Sequence, residues 1–194
     1  MVVSVPKRLF TVDEYYEMAR VGILKPDERV ELLDGEIVPM NAIGSLHAWC
    51  VTRLNEIFTP LTGRIRVRSQ NPLRLGLRAE PEPDITIIRP DALEDRHPGP
   101  ADALLVIEVS DSSITKDRGR KRRMYARAGI PDYWIVDLRS DCIEVYREPS
   151  PRGYRSVTLL GRGDRIAPLF APELLIDVSA ILGRAATAAS PPTD

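Results

Sequence analysis

The pattern of apolar and polar positions divides the chain into segments with the period of a helix or of a strand. Residues 45–62 place apolar side chains three or four positions apart, the spacing of one helix face. This stripe comprises Leu46, Trp49, Cys50, Leu54, Ile57, Phe58 and Leu61.

Thr11 and Glu14 match a capping box, in which both side chains satisfy free amides at a helix start. Gly129 ends a helix because glycine accepts a left-handed cap. Helices are expected over residues 11–21, 45–62, 116–128 and 174–182.

Short apolar or alternating segments predict the strands. Asp34-Gly35 is the strongest turn signal in the chain, and it joins the two strands of a hairpin over residues 29–40. Residues 64–70 and 73–77 both alternate, so they are expected to pair as antiparallel strands. The remaining strands are expected over residues 85–88, 104–110, 133–136, 142–146 and 154–160.

The order of these elements predicts an α/β fold with a mixed central β-sheet flanked by helices. A strand, a basic helix and a second strand follow one another between Ala103 and Leu138, which is a β-helix-β unit. The length of 194 residues suits one domain. We expect a single domain over residues 1–183 and a flexible C-terminal tail over residues 184–194.

Composition and charge exclude several classes of protein. The hydrophobic content of 43% can build a core, and the net charge of −1 carries no global signal for nucleic acid or membrane. The two cysteines, Cys50 and Cys142, lie far apart, which argues against a disulfide scaffold and fits a reducing compartment. No apolar run approaches the roughly 20 residues that span a bilayer. A cytoplasmic protein without a membrane partner is expected.

Two carboxylates lie in or beside strands where they could share a cation. Glu108 lies in an otherwise apolar strand, where an unpaired carboxylate is costly to bury. Asp84 follows Pro83 at the start of the preceding strand. Acids on neighbouring strands can hold a divalent ion, and oxygen-only ligation with open water positions suits Mg²⁺ or Mn²⁺. Lys121, on the next helix, could orient or deprotonate a water and balance charge on a phosphoryl transition state.

Motifs spread over most of the chain carry a family resemblance. They are Glu31-Leu-Leu-Asp-Gly-Glu36, Glu82-Pro-Asp84, Ile107-Glu-Val-Ser110, Asp117-Arg-Gly-Arg-Lys121 with Tyr125, and Gly129-Ile-Pro-Asp-Tyr-Trp-Ile-Val-Asp137. In this order they resemble the PD-(D/E)XK nuclease superfamily and, more narrowly, its bacterial restriction-endonuclease-like family of the Uma-two type. The match runs from Leu9 to Leu182.

The resemblance implies a restriction-endonuclease-like core with four catalytic residues. Asp84 and Glu108 would hold the metal, and Glu31 would be the N-terminal acid that completes the site. The usual lysine of the superfamily, two residues after the glutamate, is replaced by Ser110 in this chain. The resemblance therefore implies that Lys121, from the next helix, takes its role.

Two functions from different classes follow. The first is a Mg²⁺- or Mn²⁺-dependent endonuclease that hydrolyses DNA phosphodiester bonds, with RNA or another phosphate ester left open as substrate. The alternative is a non-catalytic nucleic-acid-binding or assembly module on a nuclease fold. In either case, contacts to the DNA backbone are expected from the basic side chains of Lys116, Arg118, Arg120 and Arg68.

Structural interpretations compete with the functional ones for several residues. Glu108 could pair with an arginine of the following helix, and Glu31 could lie on an exposed strand face. His47, at the start of the second helix, is expected to be a surface or capping residue. Tyr133 and Trp134 are expected to pack in the core and at an interface, which favours a homodimer.

Overall fold

The computed structural model describes residues 7–92 and 94–183, so the predicted tail over 184–194 lies outside the described residues. The helices are α1 Val12–Arg20, α2 Ser45–Phe58, α3 Ile114–Lys116, α4 Arg122–Ala128 and α5 Val178–Leu182. A 3-10 turn, Thr59–Leu61, follows α2, and a π-helical turn, Asp117–Lys121, joins α3 to α4. Each described helix is too short or too polar to cross a membrane.

A six-stranded mixed sheet forms the centre of the fold. The strands are β1 Val30–Leu33, β2 Glu36–Pro39, β3 Arg66–Ser69, β4 Ile85–Ile88, β5 Ala103–Ser110, β6 Asp132–Asp137, β7 Cys142–Ser150, β8 Gly153–Gly161, β9 Arg165–Ile166 and β10 Ile176–Asp177. The sheet order is β3-β4-β5-β6-β7-β8, and β1-β2 and β9-β10 form separate hairpin-like pairs. β5 and β6 run parallel, whereas the other neighbouring strands of this sheet are antiparallel. The predicted α/β fold with a mixed central sheet flanked by helices is confirmed.

The crossover between the parallel strands contains the predicted basic helix, divided into three parts. It runs from α3 through the π-helical turn into α4. Gly129 ends α4 with a φ of 80°, in the left-handed region that glycine adopts without a steric penalty. Because a π turn takes up one more residue than an α turn, the side chains that follow it are rotated relative to those before it.

The hydrophobic core lies on both faces of the central sheet. On one face, α2 and α5 cover Ile107 and Val109 of β5. On the opposite face, α4 packs on Val106 of β5 and Tyr133 of β6. Because side chains alternate along a strand, Glu108 points to the face that α4 covers. The crossover helix and this acid are therefore on the same side of the sheet.

Residues 73–77 do not form the strand that their alternation predicts. β3 pairs with β4 instead. The amides of Leu73 and Leu75 donate to the carbonyls of Pro81 and Ala79, at 2.9 Å each. The segment therefore folds back on the residues just before β4, and the predicted pairing partner of β3 was wrong.

Two further predictions were wrong in detail. The helix expected over residues 174–182 begins only at Val178, because β10 pairs with β9 immediately before it. Leu46 and Trp49 belong to the predicted apolar stripe of α2, yet they are 60% and 63% exposed. α2 contacts the core through the part of the stripe that begins at Cys50.

Candidate active site

The four residues predicted to be catalytic line one cleft. Glu31 lies in β1, Asp84 directly precedes β4, Glu108 lies in β5 and Lys121 ends the π-helical turn. The side chain of Asp84 is the most exposed of the four, at 13%. The fold thus brings together residues from four separate parts of the chain. Their catalytic roles stay predictions.

Lys121 lies between the carboxylates of Glu31 and Glu108. Its Nζ is 3.1 Å from Glu31 Oε2 and 3.0 Å from Glu108 Oε1. Lys116 Nζ donates to Glu31 Oε1 at 2.9 Å, and Tyr125 OH donates to Glu108 Oε1 at 2.7 Å. Glu108 therefore pairs with a lysine rather than with an arginine, and Glu31 is buried rather than on an exposed face.

Asp117 attaches the π-helical turn to β5. Ser110 Oγ and Ser113 Oγ each donate to Asp117 Oδ2 at 2.5 Å. Tyr133 OH donates to the Asp117 carbonyl at 3.3 Å. Ser110 is the position at which the resemblance drawn from the sequence would expect a lysine, and its hydroxyl holds the turn that ends at Lys121.

Asp84 directly precedes β4 and contacts β5 next to Glu108. In the antiparallel pair of β4 and β5, Ile85 lies opposite Ile107. Extending this register by one position brings Asp84 level with Glu108 on the neighbouring strand. The Val109 amide donates to Asp84 Oδ2 at 2.8 Å, which fixes the carboxylate against β5.

His47 also lines the cleft, although the sequence motifs do not indicate it. Its Nε2 lies 3.0 Å from Asp84 Oδ1, and its side chain is only 14% exposed. Burial opposes protonation, but contact with Asp84 raises the pKa of His47 above its ordinary value. The expectation of a surface or capping residue was wrong. His47 lies three and seven residues before Cys50 and Leu54, so helical spacing places it on their buried face.

Burial and neighbouring charges shift the pKa values in the cleft. Burial raises the pKa of Glu108 to about 8, opposed by the Lys121 ammonium and reinforced by nearby acids. Burial disfavours the charged form of Lys121, but the carboxylates of Glu108 and Glu31 raise its pKa above the ordinary value. Burial likewise disfavours ionised Glu31, yet Lys121 and Lys116 hold its pKa below the usual range. Lys121 is therefore an ammonium at neutral pH.

The donor atoms in the cleft fit Mg²⁺ or Mn²⁺ bound partly by water. Within the described residues, no three or more His, Cys, Asp or Glu side chains are placed to hold a metal ion together. Asp84 and Glu108 both present carboxylates to the cleft, and Mg²⁺ commonly takes one or two carboxylates and keeps several waters. Burial and, to a smaller extent, nearby acids raise the pKa of Glu108, and a bound cation would favour its carboxylate form. These two acids therefore suit an ion whose remaining ligands are water.

Of the predicted DNA contacts, Lys116 is the one that lines the cleft. Arg118 and Arg120 are held in ion pairs of 2.8 Å and 2.9 Å by carboxylates of β6 and β2. Arg68 lies in β3. Contacts of these four side chains with nucleic acid stay predictions.

Tyr133 and Trp134 are both fully buried. Their expected place in the core is therefore correct, whereas their expected place at an interface was wrong. The homodimer loses this support and stays a prediction.

Comparison with known proteins identifies the family. The family model described as "Uma2: Putative restriction endonuclease" matches residues 12–179. The chain belongs to the Uma2 family. This confirms the resemblance drawn from the motifs between Glu31 and Asp137, and it makes the chain a member of a nuclease-like family.

A solved structure shows the same fold. The crystal structure of "a putative nuclease belonging to DUF820 from Anabaena variabilis ATCC 29413" is similar to this Uma2 chain with a TM-score of 0.64 and 18% sequence identity. The match covers 89% of this chain and 97% of that chain. No curated protein matches the chain. At this identity the solved structure supports the fold alone.

Proposed function

We propose that this Uma2-family protein is a metal-dependent endonuclease that hydrolyses phosphodiester bonds of DNA. The observation that supports the proposal is the place of Lys121, an ammonium between Glu31 and Glu108 in the cleft that Asp84 also lines. Phosphoryl transfer needs positive charge near the phosphate oxygens and ligands for a divalent ion. The cleft contains groups for both.

Asp84 and Glu108 would hold Mg²⁺ or Mn²⁺. Bound there, the ion would polarise a phosphoryl oxygen and lower the pKa of a coordinated water. Both carboxylates are positioned before any ion arrives, Asp84 by the Val109 amide and Glu108 by Tyr125. Preorganised ligands reduce the cost of ordering side chains on binding.

Lys121 would contribute a positive charge and orient a phosphoryl oxygen or a water. Its raised pKa supports positioning a water over deprotonating one. An ammonium has three N–H donors, and the ion pairs with Glu31 and Glu108 account for two of them. The third can bind a phosphoryl oxygen or the attacking water.

Glu31 acts through the two lysines that it contacts. One carboxylate oxygen is paired with Lys116 and the other with Lys121. Holding Lys116 beside the cleft also presents a second cation to the phosphate backbone of DNA. The amide of Glu82 donates to Glu31 Oε2 at 3.3 Å and adds to this arrangement.

The direct test is a nuclease assay with Mg²⁺ or Mn²⁺ on supercoiled DNA, linear duplex, single-stranded DNA and RNA. Cleavage of DNA is expected, with the rate lowered by roughly 100-fold or more in Glu108→Ala and Lys121→Ala. Lys25→Ala and Asp91→Asn, exposed and outside the cleft, are the matched controls and should cleave like wild type. Activity that survives both cleft substitutions would contradict the assignment.

A non-catalytic module on the same fold is the second candidate. One observation favours it: Lys116, Lys121 and Tyr125 provide protein donors to the buried carboxylates of Glu31 and Glu108. Calorimetry with Mn²⁺ separates the two functions. The module predicts no binding, and the endonuclease predicts binding that Asp84→Asn weakens.

A further inference from the structure

The imidazole of His47 directs one nitrogen at Asp84 and leaves the other without a partner. Nε2 lies 3.0 Å from Asp84 Oδ1. Nδ1 is buried and has no hydrogen-bond partner within the described part of the chain. A buried polar atom without a partner costs free energy, so its presence needs an explanation. The contact of Nε2 with Asp84 compensates for this cost.

The carboxylate of Asp84 is held from two sides. The Val109 amide donates to Oδ2 at 2.8 Å from the backbone of β5. On Oδ1, Gln70 Nε2 donates at the longer distance of 3.4 Å. Without His47, Oδ1 would keep only this weaker contact among the residues that the structure describes, and the carboxylate could turn about the Cβ–Cγ bond.

We propose that His47 is a positioning residue that fixes the Asp84 carboxylate for metal binding. His47 lies in the first turn of α2, and Cys50 and Leu54 of the same helix are buried in the core. The packing of α2 on the sheet therefore sets where the imidazole meets Asp84. Partners that orient a metal ligand typically change metal affinity by about 10–100-fold when they are removed.

This inference rests on the proposed function, because it takes Asp84 to be a metal ligand. The alternative is that the contact between His47 and Asp84 only joins α2 to the start of β4. In that case, removing His47 would lower the melting temperature and leave the affinity for the ion unchanged.

The test compares His47→Ala, His47→Gln and Glu56→Gln. Glutamine can present an amide N–H at a reach similar to that of Nε2, and Glu56 is an exposed residue of the same helix. The measurements are Mn²⁺ affinity by calorimetry, melting temperature, and the metal-free crystal structure of each variant. We expect His47→Ala to bind Mn²⁺ about 10–100-fold more weakly, with Asp84 turned away and the melting temperature near that of wild type. His47→Gln should restore most of the affinity, and Glu56→Gln should match wild type.

The outcomes separate this inference from the proposed function. Unchanged Mn²⁺ affinity in His47→Ala, or an Asp84 carboxylate that stays in place there, would overturn the role of His47 and leave the endonuclease standing. A lower melting temperature of His47→Ala with unchanged Mn²⁺ affinity would identify a purely structural pair, and a weaker affinity that His47→Gln does not restore would also overturn the positioning role. Wild type and Glu56→Gln that bind no Mn²⁺ would overturn the metal-dependent function, and the role of His47 with it.

Discussion

Ser110 Oγ donates a hydrogen bond of 2.5 Å to Asp117 Oδ2, across the junction between β5 and the π-helical turn. Both side chains are buried. Position 110 is where related nucleases are expected to carry their lysine, and here it attaches the turn that ends at Lys121. The serine on the strand thus anchors the turn that carries the lysine of the cleft.

Ser110→Ala is expected to lower the free energy of unfolding by about 1–3 kcal/mol, because Asp117 loses one of its two hydroxyl donors. Nuclease activity should fall further than the loss of folded protein explains, since the turn that carries Lys121 is released. Urea unfolding and cleavage rates in one buffer measure both effects. Ser179→Ala, exposed in α5, is the control and should change neither. Full activity in Ser110→Ala would contradict the anchoring role.

Lys121→Met is expected to destabilise the fold by about 2–4 kcal/mol at pH 7, because Glu108, whose pKa burial already raises to about 8, must then bind a proton on folding. Adding Glu108→Gln removes the cost of that protonation, so the double variant should be more stable than Lys121→Met alone. Glu31 keeps its contact with Lys116 in both variants. Urea unfolding in the presence of EDTA measures the difference. Equal stability of the single and double variants would show that the two side chains are not coupled.

The carboxylate of Asp102, at the end of the loop from β4 to β5, accepts hydrogen bonds from Arg96 and the Gly99 amide. A hydrogen bond from Arg96 holds the pKa of Asp102 below its ordinary value of 3.8; the Gly99 amide also lowers it, and burial opposes both. The folded state therefore binds this proton less tightly than the unfolded state. The contribution to stability is complete above pH 3.8 and is lost as the pH falls through the lower folded value.

The free energy of unfolding of Asp102→Asn should therefore fall less than that of wild type when the pH is lowered from about 5 to about 3. Urea unfolding at the two pH values measures this difference. Asp91→Asn, exposed in the same loop, is expected to keep the pH dependence of wild type. Parallel pH curves for Asp102→Asn and wild type would show that Asp102 does not contribute to acid sensitivity.

Asp132→Ala is expected to destabilise the fold by about 3–5 kcal/mol, because it breaks a buried ion pair and leaves buried donors unsatisfied. Asp132 accepts from Trp134 Nε1 at 2.8 Å, from Arg147 Nε at 3.0 Å and from the Leu169 amide at 2.9 Å. It lies at the opposite end of β6 from the cleft, so activity per folded molecule should persist. Chemical unfolding and low-temperature cleavage assays test this pair of expectations, with the exposed Asp27→Ala as control. A loss below about 1 kcal/mol would contradict the structural role of the carboxylate.

Local sequence patterns determined most of the helices and strands. The capping box of Thr11 and Glu14 begins α1, and Asp34-Gly35 forms the turn between β1 and β2 as predicted. Gly129 ends α4 as predicted. These features depend on contacts within a few residues, so a short stretch of sequence contains the information for them.

The motifs also indicated Glu31, Asp84, Glu108 and Lys121 as one set of residues, and they correctly indicated the family. They did not indicate His47, because a single histidine at a helix start has many uses and its spacing to the buried stripe becomes informative only when the helix is packed. The motifs also did not predict the hydrogen bond between Ser110 and Asp117, because it forms only when the crossover returns over β5.

The sequence by itself determined most element types, the main turn positions, the family and four of the residues that line the cleft. The tertiary structure decided that β3 pairs with β4, that Lys121 is placed between two carboxylates and that His47 meets Asp84. The physical reason is the range of the interactions. Turns and caps are settled by neighbouring residues, whereas the cleft depends on strand register and helix phase, which are set by packing between segments far apart in the chain.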